Sequence, residues 1–178
     1  MKVNIINEGA KFGLICGLIA ILLMFGSWTA GITIFTTVQF YSAFAPYMIG
    51  ILLFGGFQLR KQNGGYLSFA EALKFNFLAY VVAAVLIAVS IYILYNILDK
   101  DLTQKSAQIA MEKTRQLMEK MGSSDEDIEK AMKNSAVSMQ ETGFKKIFLG
   151  TGLGLIWDFV KAMLLSLVVK KELKFEDQ

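Results

Sequence analysis

Histidine is absent from this 178-residue chain, cysteine and proline occur once each, and only 19% of residues are charged. Without histidine the chain lacks the usual zinc ligand and the side chain most often used as a general base near neutral pH. The lone cysteine, Cys16, excludes a disulfide within the chain and argues against a metal site built on thiolates. A soluble domain carries roughly 25% charged residues, so charge is in short supply here. What charge there is nearly balances, 18 Lys and Arg against 15 Asp and Glu. Such a balance gives no basic surface for nucleic acid. No phosphate loop, nucleotide fingerprint or nucleophile–base pair stands out, and Gly150, Gly152 and Gly154 read as glycine punctuation within an apolar run. These absences argue against an enzyme and leave no candidate catalytic, cofactor or metal residue.

What is present is apolar and clustered: 54% of residues are hydrophobic. Long uncharged runs alternate with charged segments, the pattern of a polytopic all-α membrane protein whose first partner is the lipid bilayer. Four runs approach or exceed the ~20 apolar residues that cross a bilayer. They cover about residues 12–35, 43–59, 75–98 and 147–169, the second being the shortest. The first is too long for a signal peptide and is followed by no convincing cleavage site. A short uncharged link, "TTVQFYS", predicts a tight hairpin between the first two spans, with Pro46 in the first turn of the second. Before the third, Gly64-Gly65 marks a turn, and Ser68 with Glu71 forms a capping box. That box moves the start of the third helix to about Phe69, giving ~45 Å of helix at 1.5 Å per residue.

Residues 99–146 are polar but periodic. Ile109, Ala110, Leu117, Met118 and Met121 recur at helical spacing, as do Ile128, Ala131, Met132, Ser135 and Met139. Gly122 reads as a C-cap and Ser124, with Asp127 three residues on, as an N-cap. The segment is an extramembrane amphipathic helical hairpin, and it is the natural surface for a homo-oligomer or an envelope protein partner. Its methionines, Met111, Met118, Met121, Met132 and Met139, read as packing residues. Copper(I) binding by thioethers is the alternative.

Orientation follows from Lys and Arg at the span ends. Lys2, Lys11, Arg60, Lys61, Lys74, Lys170, Lys171 and Lys174 all fall on one side if both termini are cytoplasmic. The 99–146 segment carries nine basic residues but nine acidic ones as well.

The last span places Asp158 and Lys161 near its middle. Its thirteen Leu, Ile, Phe and Val residues supply roughly −4 to −8 kcal/mol toward insertion. Two isolated charges each cost about 2.5–3.5 kcal/mol, which nearly cancels that gain. Spacing of three puts the pair on one helix face, so an ion pair or shared proton relieves the cost. Small residues at spacing four, Gly150, Gly154, Asp158, Ala162 and Ser166, predict a face that packs closely on protein. Gly9, Gly13 and Gly17 offer a similar stripe on the first span as its partner. Asp158 and Lys161 are therefore either a packing lock or an intramembrane functional site. Glu71, Lys74 and Asn76 form a second polar group, expected at the cytoplasmic mouth of the third span.

With "GGYLSFAEALK" and "MEKMGSSDEDIEKAM" in view, the chain resembles a family of small four-span bacterial membrane proteins, domain-of-unknown-function family 4199, of Bacteroidota type. Gly64, Gly65, Tyr66, Ser68, Phe69, Glu71 and Ala72 carry the resemblance. It implies residence in the inner membrane and carries no established activity, so no functional residue transfers. The expected function is a structural or protein-interaction component of the envelope. The alternative is a small ion- or proton-coupled transporter, or a subunit of one, using Asp158 and Lys161.

Overall fold

The first helix starts where a side chain can satisfy its free amides: Asn4 Oδ1 accepts from the N–H groups of Ile6 and Asn7, at 3.1 and 3.2 Å. From that cap α1 runs Ile5–Thr29, seven residues ahead of the apolar run. The computed structural model describes residues 3–44, 46–139 and 144–172, with no side-chain description at residues 40, 43, 44, 110 and 134–139. Lys2 and Lys174, which entered the charge asymmetry, lie outside these residues, as do the side chains of Ala110, Ser135 and Met139.

α1 ends at Gly31, whose φ of +111° lies in the left-handed region that L side chains rarely adopt. The expected span 12–35 is thus cut, and Ile32–Phe35 belong to the next helix. α2 runs Ile32–Phe44 and absorbs the "TTVQFYS" stretch, which is helix and not a tight link. Thr36 and Thr37 donate back to the Thr33 carbonyl at 3.1 and 2.7 Å, which keeps their hydroxyls satisfied inside a helix. α3 runs Tyr47–Gln62 with Pro46 as its N-cap, one position before the first turn. Its 16 residues give about 24 Å of helix, short of a ~30 Å hydrocarbon core. It also carries on past Leu59 into Arg60 and Lys61.

α4 begins at Phe69 as the capping box predicts. Glu71 Oε2 accepts from the Ser68 amide and hydroxyl at 3.0 and 2.8 Å, and the Glu71 amide donates to Ser68 Oγ. The helix continues to Ile93 and ends in a π-helical turn, Leu94–Leu98. α5 (Leu102–Lys120) and α6 (Asp125–Met139) follow as a helix pair. At its bend the Gly122 and Ser123 amides reach the Glu119 and Met118 carbonyls, the bond pattern that closes a helix on a left-handed glycine. α7 runs Phe144–Val169, taking its first three residues from the stretch assigned to the hairpin. Among the described residues three helices, Ile5–Thr29, Phe69–Leu98 and Phe144–Val169, are long and apolar enough to cross a membrane.

The chain divides into two compact units. The first comprises Met1–Leu22, Ala45–Ala88 and Leu149–Gln178. Its core joins Phe12 and Cys16 of α1, Leu52 and Leu59 of α3, Phe75, Ala79 and Tyr80 of α4, and Leu165 and Val169 of α7. α1 and α4 run parallel: Gly9 meets Phe75 and Leu78, Gly13 meets Ala79 and Val82, and Gly17 meets Ala83 and Leu86. A Cβ at Gly13 would lie 2.6 Å from the Ala79 carbonyl oxygen, so the close approach requires glycine there. α4 and α7 are antiparallel, with Asn76 opposite Ser166 and Tyr80 opposite Lys161. Leu67 and Lys171 exchange both backbone hydrogen bonds at 2.9 Å, tying the α3–α4 loop to the end of α7.

The second unit comprises Leu23–Phe44 and Val89–Phe148. Met24, Phe35, Leu94 and Leu102 form its core, with Phe25, Trp28, Ile32 and Tyr95 packed around them. The Trp28 indole N–H donates to Asp99 at 3.2 Å, and Lys105 pairs with the same carboxylate at 3.7 Å. Lys113 donates to Thr37, linking α5 to α2.

Candidate intramembrane polar site

Asp158 and Lys161 form an ion pair one helical turn apart, with side chains 18% and 41% exposed. Their neighbour Trp157 is 72% exposed, and Ile156 also faces outward. The pair therefore lies at the edge of the apolar face and is half-buried. The Lys161 ammonium stands 4.9 Å from the centroid of the Tyr80 ring, so a cation–π contact joins α7 to α4. A paired, ring-covered ammonium costs far less in an apolar setting than an isolated one.

Tyr80 supplies more than its ring. It is 1% exposed, and its hydroxyl is buried with no hydrogen-bond partner among the described residues. Asp158, Cys16 and Tyr47 come within electrostatic reach of that hydroxyl. One turn earlier on α4, Asn76 is fully buried and its amide N–H donates to Ser166 Oγ at 3.0 Å. Ser166 in turn donates to the Ala162 carbonyl. Asn76 Oδ1 is left buried without a partner among the described residues. The site thus holds one ion pair, one interhelical hydrogen bond and two polar oxygens with unused capacity.

The polar candidates at the mouth of the third span, Glu71, Lys74 and Asn76, take separate places. Glu71 belongs to the capping box, Lys74 is exposed, and Asn76 turns inward to α7. The reason is periodicity: Asn76 is four residues before Tyr80 and shares its buried face, whereas Lys74 lies on the opposite side. The glycine stripes also part company. Gly9, Gly13 and Gly17 pack on α4 and not on α7, because alanines at 79 and 83 provide the shallow surface that glycines need. Gly150 and Gly154 have no described atom within 4 Å of an added Cβ, whereas Ala162, Leu165, Ser166 and Val169 further along α7 are buried. Tyr80 was missed by sequence reasoning, although its spacing of four from Asn76 was a usable signal.

Neither the curated proteins nor the solved structures contain a match to this chain. One family does match, described as proteins of unknown function and designated DUF4199, over residues 11–171. A match of that extent, on a chain with apolar helices long enough to cross a membrane, shows that the protein belongs to the DUF4199 family.

Proposed function

We propose that the protein is a four-crossing component of a bacterial inner membrane, with both termini cytoplasmic, that acts as a structural or interaction partner through its α5–α6 hairpin. Direction of travel supports the fourth crossing. α1 and α4 run parallel, so the chain between them has to return, and α2 followed by α3 supplies the residues for it. Exposed Leu22, Phe54, Ile156 and Trp157 suit a surface covered by acyl chains. Arg60, Lys61, Lys170 and Lys171 gather at the end where Leu67 pairs with Lys171, and the positive-inside rule makes that end cytoplasmic.

The observation that carries the interaction reading is the hairpin surface. Met121 is 75% exposed and Leu117 is exposed near it, on helices otherwise rich in solvated ion pairs such as Arg115–Glu119 and Lys130–Glu126. A photo-crosslinker at Leu117 or Met121, in native membranes at native expression, should capture one discrete protein, either a second copy or an envelope partner. Labelling of lipid alone, or of nothing, would remove the reading. The reading assigns no catalysis to the chain.

Transport through Asp158 and Lys161 is a second reading, favoured by the unused Tyr80 hydroxyl and Asn76 oxygen beside the pair. In reconstituted vesicles the combined change Asp158→Asn and Lys161→Met should abolish ion or proton flux. If native protein shows no flux to lose, the pair is a lock.

A further inference from the structure

Two basic pairs that are far apart in sequence meet at one rim of the first unit. Arg60 and Lys61 close α3, and Lys170 and Lys171 follow the last turn of α7. Three contacts hold them together. The Arg60 guanidinium donates to the Val169 carbonyl at 3.1 Å, Leu67 and Lys171 pair through their backbones, and the Lys171 ammonium stands 5.4 Å from the Tyr66 ring centroid. Gly56 allows the helices this proximity, since a Cβ there would meet Val169 at 2.8 Å.

None of the four basic residues makes an ion pair among the described residues. Glu71, in the first turn of α4, is engaged by the Ser68 capping box, and Glu172 is exposed beyond Lys171. Lys61, Lys170 and Lys171 are exposed, and Arg60 is half-buried over the Phe57 ring at 5.0 Å. The cations also sit beside helix C-termini, where last-turn carbonyls already favour positive charge. Directly below them the same two helices expose apolar side chains, Phe54 and Phe57 on α3 and Leu164, Leu167 and Val168 on α7.

We propose that this rim binds the phosphodiester headgroup of an anionic phospholipid, with its acyl chains lying along the exposed apolar faces of α3 and α7. A basic cluster with no ion pair among the described residues, bordered by exposed apolar side chains, matches a lipid, whose phosphate and hydrocarbon are covalently joined. A soluble phosphate satisfies the cations alone. Arg60 is fixed by its carbonyl contact and presents its remaining N–H groups, while the three lysines supply mobile charge.

The test is a lipid titration of the full chain in neutral detergent, read by native mass spectrometry. Phosphatidylglycerol, phosphatidylcholine and inorganic phosphate serve as probes. Phosphatidylglycerol should bind with roughly tenfold or greater preference over phosphatidylcholine. The variant Lys61→Gln, Lys170→Gln, Lys171→Gln should lose that preference while keeping the melting temperature of native protein in phosphatidylcholine. Arg60 is left in place because its carbonyl contact is structural. Equal affinity for the two lipids, an unaltered preference in the variant, or displacement of phosphatidylglycerol by millimolar inorganic phosphate would each overturn the proposal. If the variant fails to fold, anionic lipid retained per chain decides the matter. Native protein extracted from membranes should keep at least one such lipid through purification, and retention of none refutes the site.

Discussion

Replacing Gly13 by alanine adds one methyl group at the tightest point between α1 and α4. That methyl would lie 2.6 Å from the Ala79 carbonyl oxygen, 2.8 Å from Val82 Cβ and 3.0 Å from Ala79 Cα. Ordinary contact begins at 3.4 Å, so the shortfall is 0.8 Å. Two of the three obstructing atoms are backbone and cannot swing aside, so the helices have to part by about that distance. A gap of 0.5–1 Å forfeits roughly a quarter to a half of the dispersion energy across the seam. Gly9 and Gly17 share that seam, and their contacts to α4 weaken with it. Overpacking of this kind typically costs about 1–3 kcal/mol. For a chain of this size 1 kcal/mol corresponds to roughly 2–4 °C, so a loss near 2 kcal/mol lowers the melting temperature by about 4–8 °C. Thermal unfolding in detergent provides the assay, and Gly26→Ala and Gly154→Ala provide controls, since neither added methyl meets an atom within 4 Å. Cys16, fully buried one turn from Gly13, adds a second readout: maleimide should label it faster once the seam opens. Melting of Gly13→Ala alongside the two controls, with Cys16 still protected, would refute the reasoning.

Three further outcomes are expected. Asp158→Asn and Lys161→Met singly should each destabilise by about 1–3 kcal/mol, and the double change by clearly less than their sum, because each single variant strands one charge; strict additivity in thermal unfolding would show the pair to be uncoupled. Ser68→Ala should cost about 1 kcal/mol through loss of the α4 cap, whereas Ser68→Thr keeps an acceptor for the Glu71 amide and should melt close to native. A double-mutant cycle on Asn76→Ala and Ser166→Ala should return a coupling near 0.6 kcal/mol, as for other hydrogen bonds between membrane helices, and a value of zero removes that bond from the energetics.

Local chemistry made the elements easier to read than their partners. The Ser68–Glu71 box and the Gly122 bend are decided within four residues of chain, and both were legible. The break at Gly31 was not, because an apolar run hides a glycine that turns as readily as one that packs. Which stripe meets which helix was also hidden. Gly9, Gly13 and Gly17 could serve any smooth neighbour, and only three-dimensional register selects α4 over α7. For the polar site, the Asp158–Lys161 pairing is a property of one helix and could be read from spacing alone. Tyr80 and Ser166 join that site across a helix boundary, through contacts between residues 81 and 90 positions apart, which no local pattern encodes.

The first unit draws on three stretches of chain separated by the whole of the second. Its Leu67–Lys171 clasp joins a loop to a residue made 104 positions later, 171 against 67. A ribosome therefore makes α1, α3 and α4 well before α7, the helix that completes their shared core, exists. Until α7 arrives, Asn76 and Tyr80 face lipid or an assisting protein, and quality control has a defined window in which to recognise the unfinished molecule.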